Sequence, residues 1–252
     1  MIKEYFPLTY PQKAIWYTEM VYPGAGIGNI PATLRIKENV DYEILEKAIN
    51  LFIKDNDAAR IRVIEKDGKP QQYVSEFNYK KLKIYDFSSK DITELYQWEN
   101  EQARIPFQLV DSELIHFYLI KVNEHDGGFY LKTHHLISDA WTMSLIGNQI
   151  IEFYSALKNN EEIVEHKKTS YTEYLQREYE YQTTYKFQKD KEYWNNKFEL
   201  VPEFTTLKPR HSNYISSTAK RKTFLLPAKL TKKMYQFCEQ SKTTIPSMFI
   251  AA

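Results

Sequence analysis

The sequence lacks the features that mark an exported, membrane-spanning or disulfide-bonded protein. One cysteine, Cys238, among 252 residues excludes an internal disulfide framework and favours a reducing compartment. No apolar run approaches the roughly 20 residues that a helix needs to cross a bilayer. The N-terminal segment MIKEYFPLTYPQK also has no apolar signal core. These absences predict a globular, cytoplasmic protein that neither enters a membrane nor is exported.

An excess of charge of one sign is missing as well. The chain has 34 Lys and Arg against 33 Asp and Glu, a formal net charge of +1. That balance argues against broad electrostatic binding to nucleic acid. An aromatic and basic stretch at residues 171–194 would suit single-stranded nucleic acid, but acidic residues are interleaved with its bases. We interpret this stretch as an amphipathic helix, and no nucleic-acid partner is predicted.

The patterning indicates an α+β protein. Strands are predicted at residues 30–37, 60–64, 71–74, 83–87, 114–122, 129–134 and 222–226, with hairpins at Asp67-Gly68 and at the HDGG segment 125–128. Helices are predicted to start near Pro11, Asp41, Asp91, Ser138 or Asp139, Tyr171 and Pro227, with a break near residues 183–184. Because hairpins and helices are interspersed, we expect a mixed β-sheet flanked by helices, and the strict alternation of strand 30–37 predicts one buried face.

The segment that suggests chemistry is FYLKTHHLISDAW, residues 129–141. Neighbouring residues on a strand point to opposite faces, so only one of His134 and His135 would reach a shared pocket. An unperturbed histidine pKa of about 6.5 suits proton transfer at neutral pH. Two other interpretations stay open, a buried structural pair and a metal site. Adjacent histidines lack the i, i+4 spacing of a helical zinc pair and no third ligand lies nearby, so no metal is predicted. Asp139 would cap the next helix or accept hydrogen bonds at the turn.

A family resemblance enters with these residues. HHLISDA, residues 134–140, resembles the H-H-x-x-x-D-G motif of nonribosomal peptide synthetase condensation domains, which belong to the chloramphenicol-acetyltransferase-like superfamily. Other family motifs are similar to segments in the expected order: LTYPQKAIWYTE at 8–19, DNDAARIRV at 55–63, the run from Ile105 to Trp141, and the Tyr-rich YTEYLQREYE at 171–180. Each motif alone is weak, and their order and spacing together carry the resemblance from residue 8 to residue 252.

The resemblance implies a chloramphenicol-acetyltransferase-like lobe that helps to form an amide bond. Residues 1–198 would be the N-terminal lobe, and residues 199–252 the crossover and the start of a truncated C-terminal lobe. A carrier-bound acyl or aminoacyl thioester would react with a carrier-bound amine. No cofactor would be held by the chain itself, since phosphopantetheine arrives on the carrier protein. The implied partners are acyl- and aminoacyl-carrier proteins, adjacent synthetase domains and the C-terminal lobe. We expect the isolated fragment to be inactive, and a starter position is one option.

Residue roles follow from the resemblance alone. His135 would act on the attacking amine, while His134 would serve packing and hydrogen bonding. Asp139 would form a buried salt bridge with Arg60, which stands at the arginine position of the family motif that DNDAARIRV, residues 55–63, resembles. The backbone N–H groups of Ala140 and Trp141 would be oxyanion donors at the start of a helix.

The sequence also departs from the family pattern. Ala140 stands where the motif has glycine, and Asp55, Asn56 and Asp57 stand where Arg-His-Glu is typical. The segment after Asp139 does not match the V-S-W-R continuation of epimerisation domains, and the aspartate-bearing pattern of heterocyclisation domains is absent from the motif. Two alternatives stay open: an acyltransferase that uses coenzyme A or another soluble donor, and a non-catalytic lobe that binds a carrier protein.

Overall fold

The computed structural model describes residues 4–163, 170–201 and 224–251. The chain divides into two compact units, Met1–His211 and Ser212–Ala252. The first unit contains the strands and six helices of the described residues, and the second contains two helices. This arrangement confirms the predicted α+β class.

Seven strands of the first unit form two sheets. In chain order they are β1 (Phe6–Pro7), β2 (Asn29–Ile36), β3 (Ile61–Lys66), β4 (Lys69–Val74), β5 (Ile84–Asp86), β6 (Ile115–Asn123) and β7 (Asp126–His134). The smaller sheet has the order β1-β4-β3 and is antiparallel, and the larger has the order β2-β7-β6-β5. In the larger sheet β5 runs parallel to β6 while the other pairs are antiparallel, so this is the predicted mixed sheet.

The helices begin where the sequence places capping residues. They are α1 (Tyr10–Val21), α2 (Tyr42–Asp55), α3 (Ile92–Arg104), α4 (Ala140–Lys158), α5 (Tyr171–Gln182), α6 (Tyr185–Lys197), α7 (Ala228–Gln240) and α8 (Ile245–Ala251). Thr9, Asp41, Asp91 and Asp139 each accept a backbone N–H of the first turn. The predicted break at residues 183–184 is confirmed, because Thr184 caps α6 after α5 has ended.

The larger sheet lies between two layers of helix. On one face α2 and α4 pack onto β6 and β7, and the buried contacts include Ile49, Phe52, Phe117, Phe129 and Ile150. On the other face α3 contributes Leu95 and Trp98 to a largely aromatic cluster that includes Tyr130 of β7. All nine residues of β7 are therefore buried. The single buried face predicted for β2 is wrong for the same reason, since both of its sides are partly covered.

The second predicted hairpin turns at a different place from HDGG. Asn123 pairs with Asp126, so the connection is the two residues Glu124 and His125. Gly127 and Gly128 belong to β7 and pair with β2. Both positions require glycine because their neighbours leave no room for a Cβ atom. A Cβ on Gly127 would strike the Tyr42 hydroxyl, and one on Gly128, which has φ +148°, would strike the Leu34 carbonyl oxygen. These glycines allow close backbone approach and do not form the turn.

In the second unit Pro227 precedes α7 as predicted. Cys238 on α7 is buried, with its Sγ atom 4.0 Å from the Met248 Sδ atom of α8. The predicted strand 222–226 lies partly outside the described residues, and residues 224–226 are not part of a strand. Among the described helices, none combines the length and the apolar character that spanning a membrane requires.

A glycine comparison tests the close packing of β7. We expect Gly128→Ala to lower the free energy of unfolding by about 3 kcal/mol, because backbone strain and a clash with Leu34 add together. Gly68→Ala is the control, since Gly68 has φ +70° but open space around it, and should cost about 1 kcal/mol. Urea unfolding of both variants measures the difference. Equal costs would contradict the close approach at Gly128.

Candidate active site

The two histidines lie where β7 leaves the sheet. The His134 backbone N–H donates to the Leu114 carbonyl at 2.9 Å, and the His135 N–H donates to the Gly28 carbonyl at 2.8 Å. The ladder thus continues on both sides of β7 to its last residue and one beyond. His134 is the last residue of β7 and points inward, and His135 begins the turn after the strand and points outward. His134 is 1% exposed, whereas His135 is exposed.

His135 is held by the turn that follows it. Its Nδ1 atom lies 3.1 Å from the Ser138 carbonyl oxygen. A carbonyl oxygen only accepts, so Nδ1 carries the proton and the Nε2 lone pair is left available. Ser138 is itself fixed, because its hydroxyl donates to the His134 carbonyl at 3.0 Å and contacts the Thr133 hydroxyl at 3.0 Å. The arrangement leaves Nε2 as the ring nitrogen that this bond does not occupy.

His134 is buried and has hydrogen-bond partners at both ring nitrogens. Its Nδ1 atom accepts the Leu136 backbone N–H at 3.1 Å, and its Nε2 atom lies 3.3 Å from Oε1 of Glu19. Burial lowers the pKa of His134, and the carboxylate of Glu19 partly opposes that effect. The ring therefore stays neutral at neutral pH. The role implied for His134 by the resemblance, packing and hydrogen bonding, agrees with these contacts.

The layer beneath His134 contains further buried polar groups. The Phe107 ring stands edge-on to His134 at 5.7 Å and lies 4.8 Å from His116. Lys132 is 2% exposed and donates to the carbonyls of Gln102 and Ile105, where α3 ends. Burial, followed by the charge of Lys132, lowers the pKa of His116 to about 4. His134, which is buried, and His116, which is half-buried, therefore both favour the neutral form.

Asp139 acts as the N-cap of α4. Its Oδ1 atom accepts the Thr142 backbone N–H at 2.8 Å and the Thr142 hydroxyl at 2.7 Å. These bonds, and to a smaller extent the nearby Trp141 N–H, lower the pKa of the exposed Asp139 carboxyl. The Trp141 N–H thus already faces a carboxylate, which disfavours the prediction that it stabilises an oxyanion. The Ala140 N–H lies in the first helical turn, where backbone donors have no intrahelical partner.

The predicted Arg60–Asp139 salt bridge is wrong. The Arg60 guanidinium donates to the carbonyls of Ile53 at 2.7 Å and Lys54 at 2.5 Å, and to Ser75 at 3.1 Å. It therefore lies at the C-terminal end of α2, where the helix dipole favours a cation. Desolvation lowers the pKa of Arg60 there.

The local geometry explains why this pairing fails. Residues Asp57–Arg60 form a single 3₁₀ turn, in which consecutive side chains point in different directions. Ala59 packs into the core with α4, so its neighbour Arg60 faces away from that helix. Between the turn and the start of α4 is a cavity of about 120 Å³, lined in part by Ala59, Ser138 and Thr142.

Gln12 connects four segments of the site, and sequence reasoning did not single it out. Its Nε2 atom lies within 3.0 Å of three acceptors that share its two N–H donors: the Gln72 side-chain oxygen on β4, the Leu136 carbonyl oxygen after the histidines, and the Tyr171 hydroxyl on α5. Its Oε1 atom accepts the Thr9 N–H and completes the capping box of α1. The segments 8–19, 134–140 and 171–180, each similar to a family motif, therefore meet at this amide, and the LTYPQ sequence at 8–12 was the available signal.

The residues at 55–57, which differ from the family pattern, form hydrogen bonds of their own. The Asp57 carboxylate accepts the Tyr171 N–H at 2.8 Å and the Ser170 hydroxyl at 2.6 Å, which anchors the start of α5. The Asn56 side chain donates to Gln149 on α4 at 3.1 Å. These residues hold helices around the site and do not contact the histidines through these bonds.

Glu19 was also missed. It lies on the buried face of α1 with Gln12 and Trp16, at the i, i+4, i+7 spacing that marks a core-facing stripe. A carboxylate at such a position was the available signal. Among the described residues, no group of three or more His, Cys, Asp or Glu side chains is placed to hold a metal ion.

Comparison with known proteins gives a consistent result. Residues 2–252 match the family model of the condensation domain. One of the plipastatin synthase subunits of Bacillus subtilis (strain 168) is 34% identical over 254 residues, covering 100% of this chain and 10% of that protein. Surfactin synthase subunit 1 of the same organism is 36% identical over 250 residues, covering 97% of this chain and 7% of that protein.

Solved structures agree on the fold. The first condensation domain of the calcium-dependent antibiotic synthetase matches with a TM-score of 0.81 at 20% identity, over 97% of this chain and 58% of that one. The starter condensation domain of rhizomide synthetase matches with a TM-score of 0.74 at 22% identity, over 79% of this chain and 49% of that one. The chain thus spans about half of the solved domains and a tenth or less of these two curated relatives.

A double-mutant cycle tests the separate roles of Arg60 and Asp139. We expect Asp139→Ala to lower the free energy of unfolding by about 1 kcal/mol, the usual cost of losing an N-cap. Asp139→Asn, which keeps an accepting oxygen, is the control and should cost a few tenths of that. Combined with Arg60→Met, the costs should add to within about 0.5 kcal/mol. A coupling energy of about 3 kcal/mol between the two substitutions, measured by urea unfolding, would be evidence for the buried salt bridge and would contradict this result.

The lowered pKa values of His116 and His134 predict how stability depends on pH. The folded-state pKa of His116 is about 4 and that of the unfolded chain is 6.5, so the unfolded chain takes up the proton first as pH falls. Stability is therefore fully present above 6.5 and lost towards 4, and His134 acts in the same direction. His116→Gln should make this loss shallower in urea unfolding at a series of pH values. An unchanged slope would show that folding does not lower the pKa of His116.

Proposed function

The chain belongs to the condensation-domain family, and on that premise we propose that it supplies the histidine-bearing lobe of an amide-forming site. The observation that carries this proposal is the orientation of His135. The Nδ1–H of His135 is directed at the Ser138 carbonyl, and the ring is exposed. Its Nε2 atom is thus the accepting nitrogen that faces outward from the fold, in a position to handle a substrate proton.

The proposed reaction is aminolysis of a thioester. The amine of one carrier-bound substrate attacks the carbonyl carbon of the other, a C–N bond forms and the C–S bond breaks. The nitrogen must lose a proton and the departing thiolate must gain one. His135 Nε2 accepts the proton from the amine and returns it to the sulfur, so the residue ends the cycle neutral. Holding both substrates in register would contribute further to the rate.

The remaining assignments are proposals of the same kind. The Ala140 N–H is the better candidate oxyanion donor, because the Trp141 N–H faces the Asp139 carboxylate. Trp141 is 74% exposed beside the histidine turn, and the chain spans about half of the solved domains. We infer that a second lobe covers this surface, with residues 1–198 forming the first lobe.

The substrates would arrive on carrier proteins. Condensation domains act within synthetases on substrates tethered to phosphopantetheine, so we propose acyl- and aminoacyl-carrier proteins as partners, in the cytoplasm. One structural relative, a variant of the rhizomide synthetase starter condensation domain, was solved in complex with C8-CoA and Leu-SNAC. That observation keeps a soluble acyl donor as the second candidate for this chain.

Single-turnover assays on the protein expressed from its complete reading frame test the proposal. With an acyl-carrier donor and an aminoacyl-carrier acceptor, we expect amide product by mass spectrometry and a loss of about a hundredfold or more in rate for His135→Ala. His125→Ala, which removes an exposed histidine at the β6–β7 turn, is the matched control and should leave the rate unchanged.

Other outcomes would change the assignment. An unchanged rate for His135→Ala would remove the proton-handling role. Equal rates with acyl-coenzyme A and with the acyl-carrier donor would favour the soluble-donor acyltransferase. Binding of the carrier protein without any product would favour a non-catalytic lobe.

A further inference from the structure

A buried carboxylate lies directly behind the histidine turn. Glu19, near the C-terminal end of α1, is 7% exposed. Its Oε1 atom accepts the Gly28 backbone N–H at 2.7 Å and lies 3.3 Å from His134 Nε2. One oxygen atom therefore holds both the segment before β2 and the ring at the end of β7. Hydrogen bonds to a charged acceptor are about twice as strong as neutral ones. We therefore expect the Glu19 carboxylate to restrict the movement of Gly28 and of the His134 ring.

The partners of His134 define its tautomer. The Leu136 backbone N–H donates to Nδ1 at 3.1 Å, so Nδ1 carries a lone pair and no proton. The single proton of the neutral ring is then on Nε2, where it is directed at Glu19. His135 has the opposite tautomer, with its proton on Nδ1 and directed at the Ser138 carbonyl. The two neighbouring rings thus differ in a way that imidazole nitrogen chemical shifts can report.

Gly28 links the carboxylate to His135. A Cβ atom at this position would overlap the His134 ring and press against Glu19 Oε1, so the backbone approaches both side chains closely. While the Gly28 N–H is held by Glu19, its carbonyl accepts the His135 N–H at 2.8 Å. The orientation of one peptide group therefore sets both contacts. A displacement of Gly28 would move the backbone of the residue that faces the substrates.

We propose that Glu19 is a positioning residue for His135, acting through Gly28 and through the His134 ring. The inference rests on the proposed function, in which His135 handles the substrate proton. Glu19 does not contact His135 through these bonds, so its effect is on where the imidazole lies and not on the proton itself. Misplacing a reacting group by about 1 Å is enough to cost a hundredfold in rate.

Two substitutions of Glu19 separate positioning from simple loss of structure. Glu19→Gln keeps an oxygen that can accept both N–H groups, whereas Glu19→Met keeps the volume and removes the acceptor. The matched control is Glu46→Met. Glu46 on α2 is 4% exposed and accepts the Leu82 N–H at 2.8 Å, but none of its bonds lead to the histidine turn.

The first measurement uses nitrogen-15 histidine labelling of the 252-residue chain. We expect one ring protonated on Nε2 and one on Nδ1, assigned to His134 and His135 by single substitutions. Glu19→Gln should retain both signatures, and Glu19→Met should lose that of His134. Exchange of the His135 amide, relative to the core amide of Leu119, should accelerate about tenfold in Glu19→Met. Glu46→Met should leave the ring signatures and this ratio unchanged even if it lowers global stability.

The second measurement is the condensation rate of the complete protein. Glu19→Met should reduce the rate ten- to a hundredfold, roughly the effect of a 1 Å displacement, while Glu19→Gln should stay within about threefold of the unsubstituted protein. If Glu19→Met leaves the His135 exchange ratio and the rate unchanged, the positioning role is overturned. If the ring and exchange signatures change as expected but His135→Ala has normal activity, the proposed function fails and the contact between Glu19 and the turn stands.

Discussion

The site depends on the point at which β7 leaves the sheet. His134 and His135 both keep backbone hydrogen bonds to flanking segments, to Leu114 on one side and to Gly28 on the other. His134 is the last residue of the strand, and His135 begins a turn that the Ile137 N–H closes on the His134 carbonyl at 3.0 Å. The His134 ring is buried in the interior, and the His135 ring is exposed. The turn to α4 then fixes the outward ring through the Ser138 carbonyl.

Several motif residues support this turn through hydrogen bonds to other segments of the chain. Gln12 binds the loop after the histidines, strand β4 and helix α5 with a single buried amide. Asp57 anchors the start of α5, and Asp139 caps α4. Each is a polar group with little room to move, because buried or capping hydrogen bonds are costly to break. The order of the motifs along the chain therefore reflects which segments meet around one turn.

Local signals predicted the elements well. The cap residues, the Asp67-Gly68 hairpin and the break between α5 and α6 all depend on neighbours within a few residues, and each is found in the structure. The errors occurred where distant chain segments decide. Gly127 and Gly128 resemble a turn in sequence, yet they pair with β2 as strand residues. They are glycines because Tyr42 and Leu34 lie too close for a Cβ atom. The single buried face of β2 failed because helices cover both sides of its sheet.

The sequence by itself determined the α+β class, the position of most elements and the family to which the chain belongs. It also predicted from strand alternation that only one of the two adjacent histidines would face outward, and in the structure the outward residue, His135, lies in the turn after β7. Only the tertiary structure decided that Arg60 binds the end of α2 instead of Asp139, and that Glu19 and Gly28 lie against His134. Those pairings depend on the direction in which side chains leave separate elements. Spacing along a chain does not encode that direction until the elements have packed.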